Sequence, residues 1–246
     1  MKRNVTILVA VLAIVFIGND VCAQDLSLDL TYASMYVWRG AVFAEDGVFQ
    51  PSFSGGMGNL SVNLWGNMDL TDENGTTRQM NEWDYTVDYS TAFDCIGVSG
   101  GIIGYTFPNS GGPGTTEFYL GASYDIVGAP SITIYRDVEA VNATYVSIAG
   151  GLSIPVAGIT VLDVNGALGS GSAAMNRALY GNGASGAGLS DVLVGLSVPV
   201  TFTEMFTITP SLMLTSILDS DGEDSYDAAG ADATNVVIGL TASAAF

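Results

Sequence analysis

Residues 235–246 read Asn-Val-Val-Ile-Gly-Leu-Thr-Ala-Ser-Ala-Ala-Phe, and this stretch decides the fold. Val236, Ile238, Leu240, Ala242, Ala244 and Phe246 occupy alternate positions, with Val237, Gly239, Thr241 and Ser243 between them. Successive side chains of a strand point to opposite faces, so one face here is apolar throughout and the other is small or polar. That pattern suits a strand with lipid on one side and a lumen on the other. Ending on Phe246 fits a closing strand of the kind that the outer-membrane assembly machinery engages.

The same alternation recurs along the chain. Segments at 26–38, 48–57, 60–70, 82–93, 96–107, 117–127, 131–136, 143–154, 159–168, 191–202, 206–217 and 235–246 carry it, twelve in all. Most approach the roughly 9 to 11 residues that a tilted strand needs to cross a bilayer. The seventh is short, and the ninth is ambiguous in phase. After even-numbered segments the chain turns tightly, through Gly58-Asn59, Asp94-Cys95, Gly128-Ala129-Pro130, Pro155-Val156-Ala157-Gly158 and Thr203-Glu204-Met205. After odd-numbered segments it wanders, over 41–47, 71–81, 108–116, 137–142, 169–190 and 218–234. Short turns on one rim and long loops on the other predict an all-β, transmembrane, antiparallel up-and-down barrel with short periplasmic turns and long extracellular loops. A soluble β-sandwich, the alternative that one-sided alternation also allows, has no reason to sort its connections this way.

The opposite end sets the compartment. Lys2 and Arg3 precede the apolar run Ile7–Ile17, and Val21-Cys22-Ala23 offers a small-residue cleavage site. Residues 1–23 therefore read as a removable export signal and 24–246 as the barrel. With Cys22 removed, Cys95 has no partner for an intramolecular disulfide.

The formal net charge is −19, and beyond the export segment the basic residues are Arg39, Arg78, Arg136 and Arg177, with no lysine. Such a balance repels polyanions, so no nucleic-acid partner is expected. The 31 glycines sit among plentiful aromatic and β-branched residues, which excludes a disordered chain. The expected partner is outer-membrane lipid, and no oligomer interface is legible.

Parity assigns the faces. Leu26, Leu28, Leu30, Tyr32, Tyr36 and Trp38 share one side of the first segment, and Trp83, Tyr85, Val87, Tyr89 and Phe93 share one side of the fourth. These are expected to face lipid, with aromatics gathering toward the interfaces. Opposite parity carries Asp29 and Arg39, then Asn63, Asn67 and Asp69, then Glu82, Asp84 and Asp88, then Glu117 and Asp125, and finally Asp191. Unpaired carboxylates are too costly for hydrocarbon, so these residues predict a hydrated acidic lumen with Arg39 as counter-charge. They would favour cations if the path is open, or simply knit the interior if it is not.

Two loops stand out by composition. Residues 169–189 are rich in Gly, Ala and Ser, with Arg177 and Tyr180 among them, and read as a surface loop or as a constriction folded into the mouth. Asp219, Asp221, Glu223 and Asp224 gather in an oxygen-rich run of the sort that holds calcium, although the spacing departs from the EF-hand pattern. A solvated acidic loop is the simpler reading.

Enzymatic chemistry finds little support. The chain has no histidine, which excludes Ser/His triads and histidine-bearing metal sites. Asp84 and Asp88 share a face, as expected of any acidic lumen, and no nucleophile has a base beside it. No cofactor motif is present; the glycine clusters lack the lysine of a phosphate loop.

The stretch Ser34-Met35-Tyr36-Val37-Trp38-Arg39-Gly40, followed by Phe49-Gln50-Pro51 and Gly55-Gly56, resembles the opening of the TorF-type porins of Gram-negative outer membranes. In that family a Tyr-Val-aromatic-Arg-Gly element ends the first strand. This chain departs from the usual polar segment after the glycine, carrying Ala41-Val42-Phe43-Ala44 instead. The resemblance implies an outer-membrane barrel and a pore. It supplies no catalytic or binding residues, and Arg39 is the matching position worth testing. The expectation is a porin-like channel for small hydrophilic solutes that prefers cations. The alternative is a non-conducting structural or surface-binding barrel.

Overall fold

The computed structural model describes residues 25–156, 160–184 and 186–246. The expected export segment 1–23 lies outside the described residues. Strand β1 (Asp25–Ala33) is followed by a small hairpin of β2 (Tyr36–Trp38) and β3 (Ala41–Ala44). Then come β4 (Val48–Met57), β5 (Leu60–Asp69), β6 (Met80–Phe93), β7 (Ile96–Thr106), β8 (Thr115–Tyr124), β9 (Ser131–Asp137), β10 (Thr144–Val156) and β11 (Thr160–Gly171). Helix α1 (Ala173–Tyr180) leads to β12 (Gly188–Ser197), β13 (Val200–Thr203) and β14 (Phe206–Ile217), and helix α2 (Ser220–Ala229) to β15 (Thr234–Ala245).

Each wall strand pairs antiparallel with its neighbours in sequence, and β15 closes the ring on β1 in the register Leu28↔Ala244 to Ala33↔Gly239. β13 resumes the line of β12 after Val198 and Pro199, and both pair with β14. The result is a closed 12-stranded antiparallel up-and-down β-barrel. Closure removes every sheet edge, which is what allows strands to stand in hydrocarbon.

Expected and observed strands coincide closely, and 48–57 and 206–217 match at both ends. One boundary is corrected. The first wall strand stops at Ala33, because Ser34 caps the ladder: its N–H donates to the Ile238 carbonyl at 2.8 Å and its hydroxyl accepts from the Ile238 N–H at 2.9 Å. Tyr36 and Trp38 then leave the wall as part of the β2–β3 hairpin and do not face lipid.

The ninth segment's phase is resolved by pairing: Ala167 and Asn165 face inward opposite Ala149 and Gly151. The loops sort as expected. Short turns lie at 58–59, 94–95, 125–130 and 204–205, and longer connections on the other rim at 34–47, 70–79, 107–114, 138–143, 172–187 and 218–233.

The barrel is apolar outside and polar inside. Tyr89, Phe118, Leu120, Ile148, Val236 and Ile238 are all more than half exposed on the outer surface. Water around such a continuous belt would impose a hydration penalty that hydrocarbon removes. The largest fully buried side chains include Glu117, Asn67, Asn176, Asp69 and Asp137, inverting the distribution of a soluble protein.

A closed barrel of this kind resists detergent until heated. Folded protein in dodecyl sulfate should migrate differently before and after boiling, and should extract from membranes only with detergent. Identical mobilities together with extraction in buffer would contradict the barrel.

Candidate functional site

The hairpin β2–β3 turns into the barrel and crosses it. Its two-residue turn, Arg39-Gly40, has φ of 50° and 78°, the left-handed geometry of a tight hairpin turn. Asn-Gly is the usual pair there, and an arginine accepts that backbone at some cost. Gly40 is required for a second reason. A Cβ there would stand 2.8 Å from the Cβ of Asp191 on β12, so the hairpin tip rests against the wall.

Arg39 is the reason the tip stays. Nη1 and Nη2 donate to Oε1 and Oε2 of Glu117 on β8, each at 2.8 Å, in a bidentate ion pair whose side chains are 6% and 2% exposed. The Tyr105 hydroxyl donates to Glu117 Oε2 at 2.9 Å. The guanidinium carbon lies 4.2 Å from the Trp38 ring centroid, 4.3 Å from Tyr145 and 4.9 Å from Tyr135, so three aromatic faces surround the cation. Burial alone would lower the arginine pKa, but the hydrogen bonds and charge of Glu117 more than offset this and raise it. Arg39 therefore stays charged while its charge is cancelled locally.

Two helices complete the constriction. Ser172 caps α1, its hydroxyl accepting from the Met175 N–H at 3.4 Å. From α1, the Tyr180 hydroxyl donates to the Arg39 carbonyl at 2.8 Å. Asn176 is fully buried: its amide donates to the Asp219 carboxylate and the Gly186 carbonyl and accepts from Ser190 Oγ at 2.7 Å. From α2, the Tyr226 hydroxyl accepts the Val42 N–H at 3.1 Å, and Ala41, Tyr180, Ala184, Ile217 and Ala233 form the apolar cluster beneath. The composition-rich segment 169–189 thus folds inward and is not a surface loop.

The residues singled out by parity fall into distinct settings. Glu82, Asp84, Asp88, Glu117 and Asp191 stand on the inner wall around or just below the hairpin. Glu82 bonds the hydroxyl of Tyr36, whose phenol pKa is raised by burial and further by the carboxylates of Glu82 and Asp84. Asp191 accepts from the Tyr145 hydroxyl at 2.9 Å, and Asp88 from Tyr119 at 2.5 Å. Asp84 Oδ1 is buried and has no hydrogen-bond partner among the described residues.

Asp29 lies apart, nearer the short-turn rim, accepting from Ser243 Oγ at 2.6 Å. Asp69 organises the 70–79 loop, accepting from Asn67, Asn74 and Thr76 at 3.0 to 3.1 Å. Asp125 is corrected. It sits exposed in the 125–130 turn, beyond the end of β8, because the strand ends at Tyr124.

The calcium-loop expectation for Asp219, Asp221, Glu223 and Asp224 is also corrected. This run starts helix α2, with the Asp219 side chain as N-cap accepting the Gly222 N–H at 2.7 Å and acidic residues in the first turn. Carboxylates at a helix N-terminus are stabilised by its free N–H groups and dipole, without a metal. Among the described residues no group of three or more His, Cys, Asp or Glu is placed to hold a metal ion.

Sequence reading missed the aromatic lining: Tyr36, Trp38, Tyr105, Tyr135, Tyr145 and Tyr180. The inward parity of Tyr119, Tyr135 and Tyr145 was the available signal. It also missed Asp137, which accepts the N–H groups of Glu139, Val141 and Asn142 and so shapes the 138–143 loop.

The fold matches solved porins. The KdgM porin aligns with a TM-score of 0.54 at 8% identity, covering 89% of this chain and 99% of that one. The NanC porin aligns with a TM-score of 0.54 at 14% identity, covering 89% and 98%. At such identities the likeness is one of fold. No protein-family model and no curated protein matches the sequence.

Removing one partner of a buried ion pair leaves the other charge uncompensated, at a cost of about 3–5 kcal/mol. Arg39→Ala should therefore release the hairpin, and hydrogen exchange at the Val37 and Val42 amides should accelerate while wall strands stay protected. Unchanged exchange there would show that other contacts hold the hairpin.

Proposed function

We propose that the chain is an outer-membrane, porin-like channel that admits small hydrophilic solutes and prefers cations, with the β2–β3 hairpin setting its aperture. The observation that carries this reading is the excess of carboxyl groups over basic side chains at the constriction. Arg39, the one basic side chain among the described residues that is buried there, is paired with Glu117, while Glu82, Asp84, Asp88 and Asp191 form no ion pair among the described residues. Arg78, Arg136 and Arg177 are exposed toward the loop rim. Clustered carboxylates on an aqueous path lower the energy of cations and raise that of anions. Asp84 Oδ1, without a hydrogen-bond partner among the described residues, adds weight, since a buried carboxylate oxygen needs water or a cation to offset its desolvation.

The resemblance of Ser34–Gly40 to TorF-type porins supports the same reading, and in this chain the motif forms the hairpin that crosses the lumen. Binding and diffusion, without a catalytic step, account for every inward group named. A further structure of the KdgM porin is described as a complex with disordered oligogalacturonate. That ligand is a polyanion, and the acidic constriction here makes an acidic oligosaccharide an unfavourable permeant for this chain.

One observation favours the second reading, a non-conducting barrel. The Arg39–Glu117 pair is nearly dry, and hairpin, α1 and α2 together occupy the loop-side mouth. Planar-bilayer recording separates the two. The channel reading expects small, cation-selective currents that grow severalfold when residues 34–47 are replaced by a short glycine-containing turn. Arg39→Ala should raise the cation-to-anion permeability ratio roughly fivefold, corresponding to about 1 kcal/mol per removed charge at this range. A sealed bilayer after verified insertion would establish the non-conducting barrel instead.

A further inference from the structure

Below the hairpin, tyrosines clad the inner wall in a repeated arrangement. Tyr119 on β8 lies across Gly101 of β7, where a Cβ would come within 2.6 Å of the ring Cζ, and its hydroxyl reaches Asp88 on β6 at 2.5 Å. Tyr145 does the same in the opposite direction. It leaves β10, crosses Gly169 of β11, and donates to Asp191 on β12 at 2.9 Å. Tyr135 on β9 stands between them, with ring centroids 5.7 Å from Tyr119 and 6.2 Å from Tyr145.

A ring that spans a glycine and is anchored at its hydroxyl has one face against the wall and the other toward the lumen. Tyr145 is covered by Met175 of α1 and Tyr135 by the Arg39 guanidinium, 4.9 Å from its ring centroid, whereas Tyr119 retains partial exposure.

One rung toward the short-turn rim from Tyr119 and Tyr135 is a cavity of 140 Å³. Ser90, Ser99, Ser123, Ser131 and Thr133 line it with hydroxyls, around Gly121. A Cβ at Gly121 would stand 2.6 Å from Ser99 Oγ and 3.1 Å from Thr133 Oγ1, so the missing side chain is what lets these hydroxyls converge. No charged side chain lines the cavity, and Asp88 above it is already engaged by Tyr119.

We propose that this stretch of wall is a binding site for an uncharged polyhydroxylated solute the size of one pyranose. Its C–H face lies on the exposed face of Tyr119, and its hydroxyls exchange hydrogen bonds with the serine and threonine row. The chemistry is selective. A sugar acid meets the Asp88 carboxylate, and an apolar solute strands the row of hydroxyls without partners. An inorganic cation finds one carboxylate that is already hydrogen-bonded. The proposal deepens the channel reading by naming a solute, and it rests on that reading only for access to the lumen.

Binding is measured without current, by saturation-transfer NMR on the detergent-solubilised barrel with D-glucose, D-glucosamine and D-glucuronate as probes. The expected result is transfer to the glucose C–H protons with a Kd on the order of 1–10 mM, and none to glucuronate. Tyr119→Ala should weaken glucose binding about tenfold or more, and Tyr119→Phe should keep most of it, because the ring face carries the stacking.

A second variant, Ser99→Val/Thr133→Val, retains the Tyr119 ring and removes hydroxyls; it too should weaken binding about tenfold. Each variant's heat-dependent gel shift confirms that the barrel is folded. Absence of glucose binding, unweakened binding in the Tyr119→Ala variant or in the Ser99→Val/Thr133→Val variant, or glucuronate binding as well as glucose would overturn the site. A barrel that seals the bilayer yet binds glucose would refute the channel and leave the site standing. A conducting barrel that ignores glucose would do the reverse.

Discussion

Hydrocarbon offers no hydrogen-bond partner, so every backbone N–H and C=O of a spanning sheet must find one in another strand. That constraint organises the whole molecule. It demands that β15 return to β1 and that β14 bridge to β12, leaving no edge. Once the ring is closed, alternate side chains have no choice but to face lipid or lumen. The apolar set Val236, Ile238 and Leu240 takes the outside, and Thr241 and Ser243 the inside, where Thr31 and Asp29 meet them across the seam at 2.9 and 2.6 Å.

A closed polar interior creates a second problem, because inward carboxylates must be hydrated, paired or bonded. The chain answers it differently at different depths. Nearest the loop rim, Asp69 and Asp137 are absorbed into loop-shaping hydrogen bonds. At the constriction, Glu117 is paired with the arginine that the hairpin brings across the barrel. Beside the hairpin tip Asp191 is met by Tyr145, and lower down Asp88 is met by Tyr119, each tyrosine crossing a glycine to reach its carboxylate. The same devices that satisfy these groups also narrow the lumen and coat it with aromatic faces.

Strand positions, loop asymmetry and inward parity were legible because each depends on short-range periodicity. Even the inward tyrosines were visible in principle, since Tyr119 shares a face with Glu117 and Tyr135 with Thr133. The hairpin was not. Tyr36-Val37-Trp38 continues the alternation of β1, and only the cap that Ser34 forms with Ile238, from the far end of the chain, shows where the wall stops. The acidic run at Asp219 misled for a related reason. Its carboxylates suit a metal loop or a helix start equally well, and the contact between Asp219 and Asn176 belongs to the helical arrangement.

By itself the sequence determined that this protein is a membrane barrel, because alternation, turn placement and composition are properties of neighbouring residues. It also determined that the interior is acidic. Only the tertiary structure decided which of those charges remain in play. Arg39 and Glu117 are separated by 78 positions, and their meeting depends on a hairpin turning inward across a closed ring. Pairings between distant strands leave no periodic trace, so the constriction emerges only when the barrel closes.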